Sequence, residues 1–352
     1  MLPLSHEDTL NGARWKVYDA VVVGAGVAGL TCALRLVKAG ADVVIVDRAD
    51  KPGGRCATRW HDGTPFDYGP LFIHGSDAGF LAAVAEVVDG GVLEGWPWRV
   101  KGQGTPCQPG AFDPRERRFA FSSGLTAFPR SFAKELNIRL NTTVVSLDAS
   151  NGFFVAQAQA GERIEARHAV IALALEQSTA LVKTIGQDAA SVVSLLEMFS
   201  SIPCLTIVAG YPAGTPAPDW DILYPECDST LLLIGNESSK RPQAVGLTSV
   251  IQAGARWSHE NFDRPKEEWG KDLLAASARV IGPWSSSPQW IHLHRWRHSR
   301  LDGANGLAAP LFLRLGKSRL GFAVDLFSPG GGIEAAWLSG NRLGEMMANA
   351  DS

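Results

Sequence analysis

Apolar residues fall in two rhythms along this chain, unbroken runs and helix-spaced stretches, and their order near the start predicts a strand, a helix and a second strand. Residues 20–23 form an unbroken apolar run, the pattern of a strand buried on both faces. Helical spacing follows Gly29, and a second run at 42–46 ends on Asp47. Further on, 77–88 and 125–136 carry amphipathic helical spacing and 138–147 reads as a strand. Residues 153–158, 162–167 and 169–173 read as a small meander with Asn151-Gly152 and Gly161 at its turns. From 203 to 252 the pattern changes to apolar runs at 205–209, 231–234 and 245–251, separated by Pro, Gly, Asn and Ser as antiparallel strands are. A helix over 266–281 covers that sheet with Trp269, Leu273, Leu274 and Val280, and 290–296 adds a strand. The chain closes with a strand at 320–324, Asp325, a glycine loop at 328–332 and a helix over 333–348.

This order predicts an α/β protein with two domains. A Rossmann-type FAD-binding domain takes 17–75, 121–178 and 308–352. A second, α+β substrate domain built on an antiparallel sheet takes 76–120 and 179–307, and 1–16 form an N-terminal extension. The glycines identify the nucleotide. Gly24 permits a tight turn, Gly26 lets backbone approach a pyrophosphate, and Gly29 allows contact between helix and strand. Val27 and Ala28 open the helix, whose free N–H groups and positive dipole end face the phosphates. Asp47, eighteen residues after Gly29, is placed to accept from a ribose, with Arg48 beside it and Val144 on the strand returning to this sheet. Gly53-Gly54-Arg55 then favours FAD over NAD as the tightly held nucleotide. In two-domain flavoproteins of the amine oxidase type this triplet brings Gly54 backbone and the Arg55 guanidinium against the pyrophosphate. A plain surface turn is the competing use of Pro52-Gly53-Gly54.

A second cofactor signal is C-terminal. Asp325 at a strand end can bond ribityl hydroxyls, and Gly332 permits close approach. The Ile333 N–H would then face the N1 and O2 edge of the flavin, where a helix N-terminus stabilises the anion formed on reduction. The same glycines would also serve as a simple strand-to-helix connector.

Composition changes this picture mainly by exclusion. With 352 residues and 45% hydrophobic content there is enough apolar surface for two cores. A net charge of −3 supplies no field for nucleic acid or an anionic membrane. No apolar run approaches a membrane span, and the first sixteen residues lack a signal-peptide core. Cys32, Cys56, Cys107, Cys204 and Cys227 are scattered without a CxxC pair, which argues against disulfides and structural zinc and fits a reducing cytoplasm. His292, His294 and His298 have metal-like spacing, but Arg295 and Arg297 between them would repel a cation, so no metal is expected.

Together, Gly24-x-Gly26-x-x-Gly29, Asp47, Gly53-Gly54-Arg55, Asp67-x-Gly69, His294-Arg295-Trp296-Arg297 and Gly332-Ile333-Glu334-x-Ala336-Trp337-Leu338-Ser339-Gly340 resemble the renalases. Trp257-Ser258-x-x-Asn261 fits their bacterial branch in particular. The resemblance implies a p-hydroxybenzoate hydroxylase-like fold with bound FAD. It implies oxidation of isomeric dihydronicotinamide dinucleotides to NAD(P)⁺, with O₂ reoxidising the flavin to give H₂O₂. The chain departs from the family at two points. Pro70-Leu71-Phe72 follows Gly69 where Ala-Gln-Tyr is frequent, and Val324 precedes Asp325 where glycine is usual.

Hydride transfer from a dihydropyridine to flavin N5 needs stacking and spacing more than acid or base catalysis, because aromatisation of the donor drives it. The candidate substrate residues are His294, Arg295, Trp296 and Arg297, with His74 and Trp337 as further candidates. On a strand Arg295 and Arg297 point one way and His294 and Trp296 the other, so both pairs cannot touch one ligand. The plainer alternative packs Trp296 in the core and leaves both arginines in surface ion pairs. Three other readings compete. An amine oxidase would need Phe327 and Trp337 in place of the usual tyrosine-containing cage, since Tyr18, Tyr68, Tyr211 and Tyr224 all lie elsewhere. A carotenoid-type desaturase is a second, and a flavin-binding protein without turnover a third. No Cys or His occupies a defensible linkage position, so FAD is expected to be noncovalent.

Overall fold

The computed structural model describes residues 16–102, 112–150, 152–226, 228–241, 243–303 and 306–349. The N-terminal extension except Lys16, together with Cys107 and Cys227, lies outside them. Strands are numbered in chain order. The first sheet holds β1 (Val17–Val23), β2 (Val43–Val46), β9 (Ile138–Arg139), β10 (Val144–Ser150), β11 (Phe153–Ala158), β12 (Arg163–Ile171), β18 (Leu311–Leu315) and β19 (Ser318–Phe322). β1 runs parallel to β2 and β12, β2 to β9, and β12 to β19. Their C-terminal ends therefore meet at one edge, where open α/β sheets bind ligands.

Two expectations change here. The strand predicted over 138–147 is two strands, β9 on β2 and β10 on β11, with Asn141 at φ 54° between them. The third part of the predicted meander does not exist, because β12 is continuous. Its first half pairs antiparallel with β11 and its second half parallel with β19. Along it the burial changes from alternating to unbroken at Ala169, and that change imitates a break in the sequence pattern.

Helix α1 (Val27–Lys38) packs along the closing helix α8 (Gly332–Asn349). Glycine is required at their contact: a Cβ on Gly340 would lie 2.1 Å from the Ala28 carbonyl oxygen, and one on Gly344 would lie 2.9 Å from that of Cys32. Helix α2 (Ala78–Ala85) is capped by Asp77, whose carboxylate accepts from the Phe80 N–H at 2.9 Å. Phe80 and Val84 share the α1–α8 core with Phe119 and Phe121. This part of 76–120, expected in the substrate domain, thus packs on the nucleotide-binding side. Helix α3 (Ala127–Ala133) joins the same core. Helices α4 (Leu175–Lys183) and α5 (Ala190–Leu196), which the sequence reading missed, cover the opposite sheet face with Leu181, Val182, Val192 and Leu196.

The second large sheet contains β7 (Val100–Lys101), β13 (Ser201–Tyr211), β14 (Ile222–Leu223), β15 (Leu231–Asn236), β16 (Leu247–Ala253) and β17 (Trp290–Leu301), in the order β17-β13-β16-β15-β14-β7. Helices α6 (Ala255–Asn261) and α7 (Lys266–Ile281) cover its outer face. The bounds of α7 are those predicted, and Trp269, Leu273 and Leu274 are buried, but Val280 is 37% exposed near the helix end. The inner face packs against Phe66, Tyr68, Leu71 and Phe72. This segment leaves the hairpin of β3 (Thr58–His61) and β4 (Thr64–Asp67) and enters a small sheet of β5 (Ile73–Gly75), β6 (Val92–Glu94) and β8 (Arg117–Phe121). Among the described residues no helix is long and apolar enough to cross a membrane.

Asp67 at the end of β4 has no solvent exposure, and nor do Glu237 and Lys240. Lys240 Nζ lies 2.8 Å from Asp67 Oδ2 and 2.5 Å from Glu237 Oε1, and Arg241 is 3.2 Å from Glu237 Oε2. Thr58 Oγ1 and the Leu125 N–H donate to Asp67, and the Asp67 N–H donates to Glu237. Burial pushes the Asp67 carboxyl above the ordinary carboxylate range, with Glu237 adding to it against Lys240. Burial also pushes Glu237 upward, but Lys240 and Arg241 outweigh it and hold Glu237 below its ordinary value. Removing the shared cation strands two buried carboxylates. Lys240→Met is therefore expected to destabilise the fold by about 3–5 kcal/mol in denaturant unfolding. A loss typical of an exposed pair, under about 1 kcal/mol, would show that this cluster does not join the sheets.

Candidate active site

At the C-terminal edge of the first sheet, the glycine loop is shaped by contact. A Cβ on Gly24 would lie 2.4 Å from the Ala172 carbonyl oxygen, and one on Gly29 2.0 Å from that of Gly24. Gly26 differs, with no atom within 4 Å of such a Cβ. Helix α1 begins beside that space at Val27 with no side-chain cap and no acid in its first turn. The Leu30 N–H makes the first intrahelical bond, to Gly26, so the N–H groups of Val27, Ala28 and Gly29 are left for a ligand. Gly53 bridges to Gly26 and its N–H donates to Ala25 at 2.8 Å, which folds the Gly53-Gly54 turn over the same loop.

Asp47 accepts from Ala25 N–H at 2.6 Å and from Ala49 N–H at 2.8 Å through different oxygens. Each oxygen keeps a lone pair for a ribose hydroxyl. Arg48 is exposed at the end of β2. Val144 lies two residues beyond Thr142, whose N–H donates to the Asp47 carbonyl at 2.9 Å.

Arg55 and Asp325, assigned separate ligand groups from sequence, meet each other. Arg55 Nη1 donates to Oδ2 at 3.0 Å and Nη2 to Oδ1 at 2.8 Å, and Nη1 also reaches the Ser299 carbonyl at 3.2 Å. Both motifs follow strands that end at this one edge. The Asp325 charge raises the Arg55 pKa further, so the guanidinium stays protonated. Beyond Asp325, Gly330, Gly331 and Gly332 all take positive φ, and a Cβ on any of them would meet nothing within 4 Å. Open space therefore lies before the N-terminus of α8, where Ile333 stands half-buried. Glu334 in the same turn accepts from the Ser76 and Asp77 N–H groups and fixes that end to the 73–77 segment.

An aromatic wall adjoins this region. Gly69 lies so close that a Cβ there would be 2.5 Å from the Arg55 carbonyl oxygen and 3.2 Å from Trp296 Cζ2. Trp296 Nε1 donates to the Tyr68 carbonyl at 2.8 Å, and the two rings stack with centroids 5.2 Å apart. His294 meets Tyr68 edge-on at 4.9 Å and Trp296 at 4.3 Å. His292 continues the row, and Gln252 Nε2 donates to the Gly69 carbonyl at 2.7 Å. His292, His294 and Trp296 are half-buried, as a wall open to a ligand must be.

The other sequence candidates lie elsewhere. Arg295 and Arg297 project to the outer face, as alternation along β17 requires, with guanidinium groups 5.8 Å from the Trp269 ring and 4.5 Å from the Phe262 ring. Arg295 also bonds the Arg264 carbonyl. Their cations are thereby separated from the wall by the sheet itself. His74 sits in the small sheet with Nδ1 3.3 Å from Glu116 Oε2. Trp337 and Phe327 are buried against Phe80 and Phe322, so they form no cage. His298 pairs with Glu176 at 2.7 Å. Sequence reasoning missed Tyr68, Gln252 and Arg59 as neighbours of the wall. Arg59 Nη1 is 2.8 Å from His292 Nε2. The only sequence signal for Tyr68 was its place inside Asp67-x-Gly69.

Residues 22–86 match the NAD(P)-binding Rossmann-like domain, and residues 102–343 match the family described as flavin-containing amine oxidoreductase. The chain belongs to the flavin-containing amine oxidoreductase family. Two solved members of this fold show the extent of the likeness. Cyclohexylamine oxidase from Brevibacterium oxydans aligns with TM-score 0.72 and 14% identity, over 95% of this chain and 99% of that one. Putrescine oxidase aligns with TM-score 0.69 and 13% identity, over 96% and 100%. At these identities the agreement is one of fold. Hydroxyneurosporene desaturase of Rubrivivax gelatinosus is 51% identical over 55 residues, 16% of this chain and 10% of that protein. A lycopene-forming phytoene desaturase of a Paracoccus species is 52% identical over 60 residues, 17% and 12%. The chain spans about a tenth of the length of the curated relatives it matches.

Membership in the flavin-containing amine oxidoreductase family, with the Rossmann-like domain, makes FAD the expected cofactor, and the residues here fit that group. The uncapped α1, the space beside Gly26 and the space before α8 lie along one sheet edge. In the wall of this family member, burial first and Arg59 second push His292 and His294 down to about 4, so both are neutral near pH 7. An unfolded histidine titrates near 6.5, so the folded protein binds fewer protons than the unfolded chain between about 4 and 6.5. This stability is complete above that window and lost as the pH falls through it. The drop in unfolding midpoint from about pH 7.5 to about pH 5 should be smaller in a His292→Gln, His294→Gln double variant than in the wild type. Equal drops would assign the slope to other groups.

Proposed function

We propose that this oxidoreductase oxidises isomeric dihydronicotinamide dinucleotides to NAD(P)⁺. The observation that supports it most is the aromatic wall of Tyr68, His294 and Trp296 beside the flavin signature, with the Tyr68 and Trp296 rings stacked and the His294 imidazole held neutral. A dihydropyridine ring stacks on such a surface and needs no general base, since loss of hydride makes it aromatic. The chemistry that noncovalent FAD supplies when bound is acceptance of that hydride, which O₂ afterwards removes with a proton as H₂O₂. The residues of the chain orient the donor. Trp296, fixed by its bond to the Tyr68 carbonyl, sets the plane, and His294 closes the edge. Cys32 and Cys56 are kept from linking the flavin by burial, which pushes both thiols up to about 12.

The likeness of fold to cyclohexylamine oxidase and putrescine oxidase supports a second reading, oxidation of a small amine. Anaerobic mixing of the yellow protein with borohydride-reduced NAD⁺, fresh NADH and a simple amine separates them. Rapid bleaching of the visible flavin band by the isomer mixture alone is the expected outcome. Bleaching by the amine favours the second reading, and no bleaching by any of the three favours a flavin-binding protein without turnover. Acid precipitation is expected to leave the yellow colour in the supernatant, and a yellow pellet would overturn noncovalent binding.

A further inference from the structure

We propose that Arg59 and His292 form a seat for a phosphate group of the substrate at the lip of the aromatic wall. The inference rests on the dihydronicotinamide reading and makes it narrower: the preferred donors carry phosphate, and the unphosphorylated riboside is a poor one.

Arg59 leaves the β3–β4 hairpin and reaches β17. Its guanidinium stands 4.9 Å from the Tyr68 ring, and Nη1 lies 2.8 Å from His292 Nε2. Arginine cannot accept, so the imidazole nitrogen does, and the neutral ring carries its proton on Nδ1. One of five guanidinium donors is used in this bond. No carboxylate among the described residues is within 4.0 Å of Arg59, whereas Arg55, Arg99, Arg117 and Arg139 each have one. Arg59 is exposed, yet its ring contact and histidine bond hold it over the row. Lys266, the first residue of α7, adds a second positive charge felt by both His292 and His294. An uncompensated, oriented guanidinium is suited to paired N–H contacts with phosphate oxygens.

The spacing also fits. Trp296 stands four positions after His292 on β17, about 13 Å of extended strand. With a pyridine ring at Trp296, the ribose and diphosphate of a dinucleotide run along the row toward Arg59. The same cation disfavours a protonated amine. Arg59 thus separates the two substrate classes by charge, while the wall separates them by shape.

The test uses FAD-loaded enzyme and the borohydride-reduced forms of NAD⁺, nicotinamide mononucleotide and nicotinamide riboside, under anaerobic conditions. The two phosphorylated mixtures should give half-maximal bleaching rates at concentrations about tenfold or more below that of the riboside. Arg59→Ala should remove most of this advantage, with Arg59→Lys intermediate because a lysine offers no paired contact. An undiminished preference in Arg59→Ala overturns the seat and leaves the dihydronicotinamide reading standing. A second measurement stands apart from turnover: calorimetric binding of ADP-ribose to the same enzyme, weakened by salt and lost in Arg59→Ala. If no isomer mixture bleaches the flavin, the functional reading fails. Absence of ADP-ribose binding to the wild type, or equal binding to Arg59→Ala, then overturns the seat as well.

Discussion

Asp67 is a carboxylate with no access to water, and the junction between the two large sheets is organised around compensating it. Lys240 comes from the segment after β15, Thr58 from the start of β3, and the Leu125 N–H from the turn before α3. The strand paired with β4 and two distant parts of the chain must be in place before this charge is tolerable. A buried ion cluster is weak evidence for net stability, because desolvation offsets most of the attraction. Its consequence is positional. With Asp67 fixed, Tyr68 and Gly69 are presented to β17 in one register. A shift by one residue would turn the Tyr68 ring away from Trp296 and leave the carboxylate without its cation.

The cofactor end depends on a different convergence. Because β1, β2, β12 and β19 are parallel, the Gly24 loop, Asp47 and Asp325 arrive at one edge from opposite ends of the sequence. Helix α8 can close against α1 only because Gly340 and Gly344 present no side chain. That close packing brings two helix N-termini to a single elongated site, the first suited to a pyrophosphate and the second to the flavin edge on the proposed reading. The Arg55–Asp325 pair lies between them and carries no net charge. Any anion attraction at the α1 end therefore rests on the backbone dipoles of that helix, whose first turn contains no acid to cancel them.

Local periodicity made the elements with one clean rhythm legible. The first β-α-β unit and α7 are such cases, and alternation along β17 placed His294 and Trp296 on the face opposite Arg295 and Arg297. Elements that change environment along their length were misread. β12 exchanges one neighbour for another partway, and β9 and β10 belong to different pairs although only a few residues separate them. Contacts made across long separations had no local signal at all. Tyr68 lies 228 positions from Trp296, and Lys240 lies 173 from Asp67. Nothing in a lone lysine on a turn says that it will be buried. Phe327 and Trp337 misled in the opposite sense, since proximity to the C-terminal glycine loop suggested a cage while packing drew both into the core.

On the proposed reading, the arrangement also separates two electrostatic requirements that conflict. A dinucleotide must be attracted by positive charge, yet its ring becomes a pyridinium cation as hydride leaves. A charged imidazole against that ring would oppose the reaction. Arg59 meets both demands from the lip of the row, its guanidinium over Tyr68 and bonded to His292 rather than against Trp296. There it can bind phosphate, and its field helps keep His292 and His294 unprotonated. The ring then reacts against neutral aromatic surfaces, and the positive charge is confined to the part of the substrate that does not change. The outer-face placement of Arg295 and Arg297 serves the same separation. Two cations adjacent in sequence to the reacting wall are screened from it by the sheet and by their contacts with Trp269 and Phe262.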